Sequence, residues 1–340
     1  MREVMQSRRK ERLDRGIKVR TDGVYAVSSW REISYLVAPR LLLIGGLLAM
    51  PLILGQVPYW QKVLSIICIY SLLAMSFDFL AHFVGLVSLG GALYIGVGAY
   101  LAALLNTQLG LPPWLTVPLA TILGGGVCTL LLWPCLPLRG VYFAIVSLMF
   151  PLLAARIIEA LDIFGGTDGI LGVAGLPNKW VEMYVLVAAV LAIMFVLRRL
   201  VNEDVGLVFR GVKDNDQAVK ASGINIITFK ALGVFIASAI GCLGGAMLSH
   251  LYMWAGISQF ALDFSIIPIA ATVVGGGGTL AGPVLGCLIL VPISELLRDF
   301  GTLRIAVYAI ILCAFIVFKS EGLMVYGSRK YQQFERWVQI

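Results

Sequence analysis

Apolar runs of membrane-spanning length recur along nearly the whole chain. They fall near 41–57, 63–80, 86–105, 114–133, 140–161, 182–197, 231–252, 266–293 and 303–318. About 20 apolar residues cover the hydrocarbon core of a bilayer, and within that core every backbone amide and carbonyl must be paired. A chain patterned this way folds as helices packed side by side in lipid, so the sequence predicts an all-α polytopic membrane protein. Only 13% of its residues are charged, whereas soluble domains carry about 25%.

The run at 266–293 is too long for one span and is interrupted by "GGGGTLAG", residues 275–282. A phosphate-cradling loop would need a Lys and a Ser or Thr at fixed offsets from its glycines. No such Lys follows, so a nucleotide site is excluded here. The charges suggest what the glycines do instead. Lys and Arg concentrate in the first 40 residues, in 198–230 and in the tail beyond 318, and the positive-inside bias assigns all three to the cytoplasm. Six runs separate the first two patches, an even number. The last two patches are separated by only three runs, unless 266–293 makes two passes. The reading is therefore about ten transmembrane segments including a glycine-broken re-entrant pair, with both termini cytoplasmic. A helix over 266–275 rises about 15 Å, half the core thickness, which predicts glycines near mid-membrane. Pro283 suits the first turn of the next helix. Non-helical backbone at that depth lines a cavity or is buried in protein; a packing-driven kink is the plainer alternative.

The chain divides into a charged N-terminal segment (1–36), a transmembrane domain (37–319) containing the cytoplasmic segment 198–230, and a tail (320–340). The opening "MREVMQSRRKERLDRGIKVR" has no apolar stretch before a cleavage site and does not read as a secretory signal; Trp30 and Tyr35 suit an interfacial position. Six cysteines without a C-x-x-C pair read as small buried hydrophobes, and two histidines exclude a His-rich metal site. The net charge of +7 belongs to loops, so nucleic acid is not an expected partner and membrane lipid is. Without a Ser/His/Asp grouping, an enzyme is the weakest reading.

Small residues at four-residue spacing, Gly233–Ala237–Gly241–Gly245 and Ser88–Ala92–Gly96, place narrow faces where helix backbones approach closely. The glycines at 85, 90, 91, 96 and 98 also permit a broken segment, a hint of an internal repeat with the later tract. Ionisable residues at membrane depth are few: Asp78, His82, Arg156, Glu159, Asp263 and Glu295. They default to functional suspects, Asp78 being the most interior, whereas Arg156 and Glu159 suit a pair on one helix. They form no chain of acids for a proton or sodium relay, which argues against a gradient-driven secondary transporter, although that class stays open.

Between spans, Asp214 to Ser222 can form a short helix with Gly223 in the left-handed position after it. It reads either as a solvated connector or as a docking helix for a cytoplasmic partner. Together with "GLVSLGGALYIGVGAYLAALL" (85–105), "LRGVYFAIVSLMF" (138–150), "GGTDGI" (165–170), "GVKDNDQAVKASGIN" (211–225) and "GGGGTLAGPVLG" (275–286), in that order, it resembles the LivM-type permease subunit of branched-chain amino-acid ABC importers. These motifs are specific for the permease superfamily and less so for substrate, and urea or amide importers remain an alternative.

The resemblance implies ATP-driven alternating access in a bacterial inner membrane, with no cofactor on this chain and ATP and Mg on partner ATPases. It implies a LivH-like second permease, LivG-like and LivF-like ATPases, and an extracytoplasmic substrate-binding protein. ATPase coupling would fall to Asp214, Asn215, Asp216, Gln217, Ala218, Ala221 and Gly223. The translocation path would use Ser88, Gly90, Gly91, Gly275, Gly276, Gly277, Gly278, Thr279 and Gly282. Gly166, Thr167 and Asp168 would touch the binding protein, although a plain turn explains them equally. The start of a helix at Gly282–Pro283, with the Thr279 hydroxyl, would favour a substrate carboxylate. Where some family members carry Gln or His, this chain has Gly91, so a polar contact from that position is absent.

Overall fold

The computed structural model describes residues 41, 43–52, 55, 57–138, 140–297, 310, 313, 322–327 and 329. Residues 1–46 and 47–340 separate into two compact units, and the helical bundle belongs to the second. The charged segment 1–36 lies outside the described residues, as does nearly all of the run at 303–318.

Among the described residues, seven helices are long and apolar enough to cross a membrane. Helix α1, Pro58–Asp78, starts with its proline in the first turn, where a missing N–H is harmless. It continues as a π-helical turn, Phe79–Val84, and stops at Gly85 in the left-handed region. Then come α2 (Gly91–Leu109), α3 (Pro113–Leu132), α4 (Val141–Leu161), α5 (Lys179–Asn202), α6 (Asp204–Ala221), α7 (Ile226–Tyr252), α8 (Asp263–Gly275) and α9 (Gly282–Leu296). A two-residue ribbon pairs β1 (Ile170–Leu171) antiparallel with β2 (Trp254–Ala255), tying the loop after α4 to the end of α7.

Helix α7 packs against α1, α2 and α3, and its glycines explain how. A Cβ on Gly245 would strike the Ile95 carbonyl of α2, and one on Gly241 the Tyr94 side chain. From the α2 side, Gly98 meets the Cys242 backbone in the same way. In lipid, where apolar side chains gain little by leaving the solvent, such backbone-level contact is what holds helices together. The apolar window of α1 is 83% buried and that of α4 only 28%. Helix α1 is thus core, and α4 presents apolar side chains outward.

Several sequence expectations change. Among the described residues, the first apolar run shows a helix over Leu43–Leu52. The run expected from 86 becomes helical only at Gly91, because the chain turns through a left-handed Gly85 and then follows no regular structure up to Gly90. The 266–293 run does break at its glycines into two antiparallel helices: Gly275 lies against Gly282, and Gly286 against Ala271. The turn between them, however, is level with Asp78 and His82 near the C-terminal end of α1, not half-way along the bundle. The mid-membrane expectation counted the first pass from Ile266. A 3₁₀ turn, Ile257–Phe260, comes first, and α8 itself runs 13 residues from Asp263 to Gly275, about 20 Å at helical rise. Helix α9 has 15 residues, about 22 Å, less than a full core thickness.

Candidate functional site

Three places collect the residues singled out by sequence. The first is a cleft among α1, α2 and α8, lined by Ser76, Ser88, Tyr94 and Ser265 together with Phe77 and Ile269, and closed down to about the volume of one water molecule. Helix α2 starts here, inside the protein, and its cap residue Gly90 brings no side chain. The first amides of a helix have no partner within it, so other elements supply one. The Ser147 Oγ of α4 accepts from the Leu89 N–H at 2.9 Å, and the Ser265 Oγ of α8 accepts from the Ala92 N–H at 2.9 Å. Ser88 Oγ accepts from the Gly90 N–H at 3.2 Å and lies 3.1 Å from the Tyr94 hydroxyl. Gly91 makes room for α8: a Cβ there would sit 2.9 Å from the Phe264 carbonyl. The result is a small hydroxyl-lined pocket with an apolar wall at a helix start. Sequence reasoning found Ser88, Gly90 and Gly91 but missed Ser147 and Ser265, which are isolated serines in apolar runs with no local signal.

The second place is the glycine turn. Gly276, Gly278 and Leu280 all have positive φ, at 104°, 77° and 59°, a conformation glycine adopts freely and leucine does not. The Thr279 hydroxyl donates to the Gly276 carbonyl at 2.8 Å and accepts from the Gly282 N–H at 2.9 Å, closing the turn and capping α9. A carboxylate does occupy this turn, but it is the protein's own. Asp78, fully buried, accepts from the Gly278 N–H at 2.6 Å and from the Leu280 N–H at 3.1 Å. The His82 Nδ1 lies 2.8 Å from Asp78 Oδ1, although not in hydrogen-bond alignment. The residues proposed for one path thus divide. Ser88, Gly90 and Gly91 lie at the cleft, whereas Gly275, Gly276, Gly277, Gly278, Thr279 and Gly282 lie at the turn.

The third place is α6. It is broken at Asn215, whose extended backbone (φ −157°, ψ 95°) separates a short terminal helix from the rest. The Asn215 side chain accepts from the Gln217 and Ala218 N–H groups, each at 3.1 Å, as an N-cap does. The short helix therefore begins at Asp216, two residues later than the sequence suggested, and Gly223 follows at φ 85°. Asp214, Gln217, Ala218 and Ala221 are exposed, while Asp216 turns inward to Lys230 of α7, 3.5 Å away and almost fully buried. Far along the chain, Gly165, Gly166 and Gly169 adopt positive φ in a tight loop that exposes Thr167 and Asp168. Trp254 Nε1 donates to the Asp168 carbonyl at 2.8 Å. Among the described residues no cluster of His, Cys, Asp and Glu has the makings of a metal site.

Residues 59–319 match the family model described as branched-chain amino acid transport system, permease component. The high-affinity branched-chain amino acid transport system permease protein LivM of Salmonella typhimurium is 26% identical over 287 residues, covering 75% of this chain and 68% of the relative. Its Escherichia coli counterpart is 25% identical over the same shares. A probable branched-chain amino acid transport permease protein LivM from Methanocaldococcus jannaschii is 27% identical over 246 residues, 64% of this chain and 71% of the relative. No solved structure matches significantly.

Proposed function

The chain belongs to the family of branched-chain amino acid transport permease components, and on that premise we propose that it is the membrane subunit of an ABC importer that moves leucine, isoleucine or valine by ATP-driven alternating access. The observation that carries this reading is the end of α6: a separately capped, exposed helix in a basic segment between two spans. Such a helix suits docking to a cytoplasmic ATPase that hydrolyses Mg–ATP on the chain's behalf. The expected assembly adds a LivH-like permease, LivG-like and LivF-like ATPases and an extracytoplasmic binding protein in a bacterial inner membrane. Gly166, Thr167 and Asp168 are offered as the contact for that last partner.

The cleft at the start of α2 suits the cargo class. Hydroxyls and a helix start favour a polar amino-acid backbone, and the phenyl and aliphatic wall favours an apolar side chain. In its closed form the cleft admits no amino acid, so α2 and α8 must part for passage, and the glycine turn at the foot of α8 gives that movement a hinge.

Uptake of labelled leucine into vesicles holding this chain with its four partners tests the reading. Uptake that requires internal ATP and survives excess urea supports it. Uptake that follows an ion gradient without ATP assigns a secondary carrier instead. ATP-driven urea uptake without leucine uptake reassigns the cargo.

A further inference from the structure

Asp78 holds the glycine turn at the foot of α8. Its carboxylate is buried in an apolar bundle, and both of its oxygens are used on backbone amides of the glycine turn. A carboxylate out of water persists only where it is paired or hydrogen-bonded, and this one is held by a turn whose shape it in turn fixes. The fit is close: a methyl group on Gly277 would strike the His82 ring.

Immediately after Asp78 the helix widens into the π turn Phe79–Val84, and that turn is where α6 packs. Lys213 Nζ donates to the His82 carbonyl at 2.8 Å. A Cβ on Gly85 would lie 2.9 Å from the Lys213 Cα. Phe79 meets Phe209 edge-on at 5.6 Å, and the Arg210 guanidinium sits 6.0 Å over the Phe83 ring. Lys213 precedes Asn215, the cap of the short helix, by two residues. A π turn inserted in an α-helix is a common feature of functional sites, and this one lies between a docking element and a hinge.

We propose that Asp78 is a positioning residue that couples α6 to the glycine turn: displacement of α6 shifts the π turn, and Asp78 carries that shift into the turn between α8 and α9. The inference rests on the importer reading, since it assigns the source of the movement to the partner ATPases.

The test uses the complete importer carrying Asp78→Asn, which keeps the side chain's size and one acceptor oxygen. Leucine uptake and ATP hydrolysis are measured on the same vesicles. The expected result is that leucine carried per ATP falls about tenfold, the scale of one lost charge-assisted hydrogen bond, while hydrolysis continues. An unchanged ratio overturns the proposal. A purely structural role would reduce the amount of assembled complex and leave the ratio of the remainder intact, which also overturns it. Should Asp78→Asn not assemble, Lys213→Met at the exposed end of the same connection decides: a lowered ratio supports the coupling, an unaltered one rejects it. Absence of ATP-dependent uptake by the unsubstituted importer would be the failure of the importer reading, seen before any variant is compared.

Discussion

At Gly245 a side chain would have to occupy the space of the Ile95 carbonyl, and at Gly126, on the outer face of α3, it would meet nothing within 4 Å. The two positions make opposite predictions. Gly245→Val forces α2 and α7 apart and is expected to cost roughly 1–3 kcal/mol, read as a lowered unfolding midpoint in detergent. Gly126→Ala is expected to be neutral or to stabilise α3 by up to about 1 kcal/mol, the helix-propensity difference. The ladder of α7 was legible because four-residue spacing puts small residues on one face whatever their partner. Gly98 belonged to no ladder, and its partner, the Cys242 backbone, is distant in sequence; only the folded chain shows that it is a contact.

Among the elements, the short helix at the end of α6 draws stability from two side chains. Asn215 caps it and Lys230 pairs with Asp216. Asn215→Ala is expected to remove about 0.5–2 kcal/mol, seen as faster amide hydrogen exchange over 216–221 with the exchange of α7 unaltered. Lys230→Met removes the ion pair between the two residues and is expected to speed the same amides. The helix itself could be read from sequence, since its residues favour one and Gly223 ends it. The turn between α8 and α9 could be read as a break but not located, because its depth depends on where the apolar segment begins. The clamp by Asp78 was out of reach: it joins residues some two hundred positions apart, and a lone Asp near a span end has the same pattern whether it snorkels or staples. Ser147 and Ser265 at the start of α2 were hidden for the same reason, each being supplied by a different helix.

For the whole molecule, the bundle has two ends, one carrying Thr167 and Asp168 and the other the tip of α6. The importer reading places them on opposite sides of the membrane. With the exposed Cys313 replaced, the remaining cysteines are buried, and single cysteines at Thr167 and Gln217 report the sides. A membrane-impermeant maleimide is expected to label Thr167→Cys from the periplasmic side and Gln217→Cys only once the membrane is opened. Labelling of both from one side would invert or abolish the proposed topology. The seven described spans were legible because lipid imposes one rule on all of them, whereas the ribbon between β1 and β2 left no trace, two residues being too few for a pattern.

That ribbon also sets an order of events during synthesis. Leu171 pairs with Trp254, more than eighty residues further along the chain. Translation proceeds at about 5–20 residues per second, so the loop after α4 waits on the order of ten seconds for its partner strand to be made. Throughout that interval α5 must leave the translocon without the clasp that later forms beside it, and the loop bearing Thr167 is open to proteases and chaperones. Pulse-chase cleavage at this loop would therefore show a nascent chain acquiring resistance only after α7 has been made.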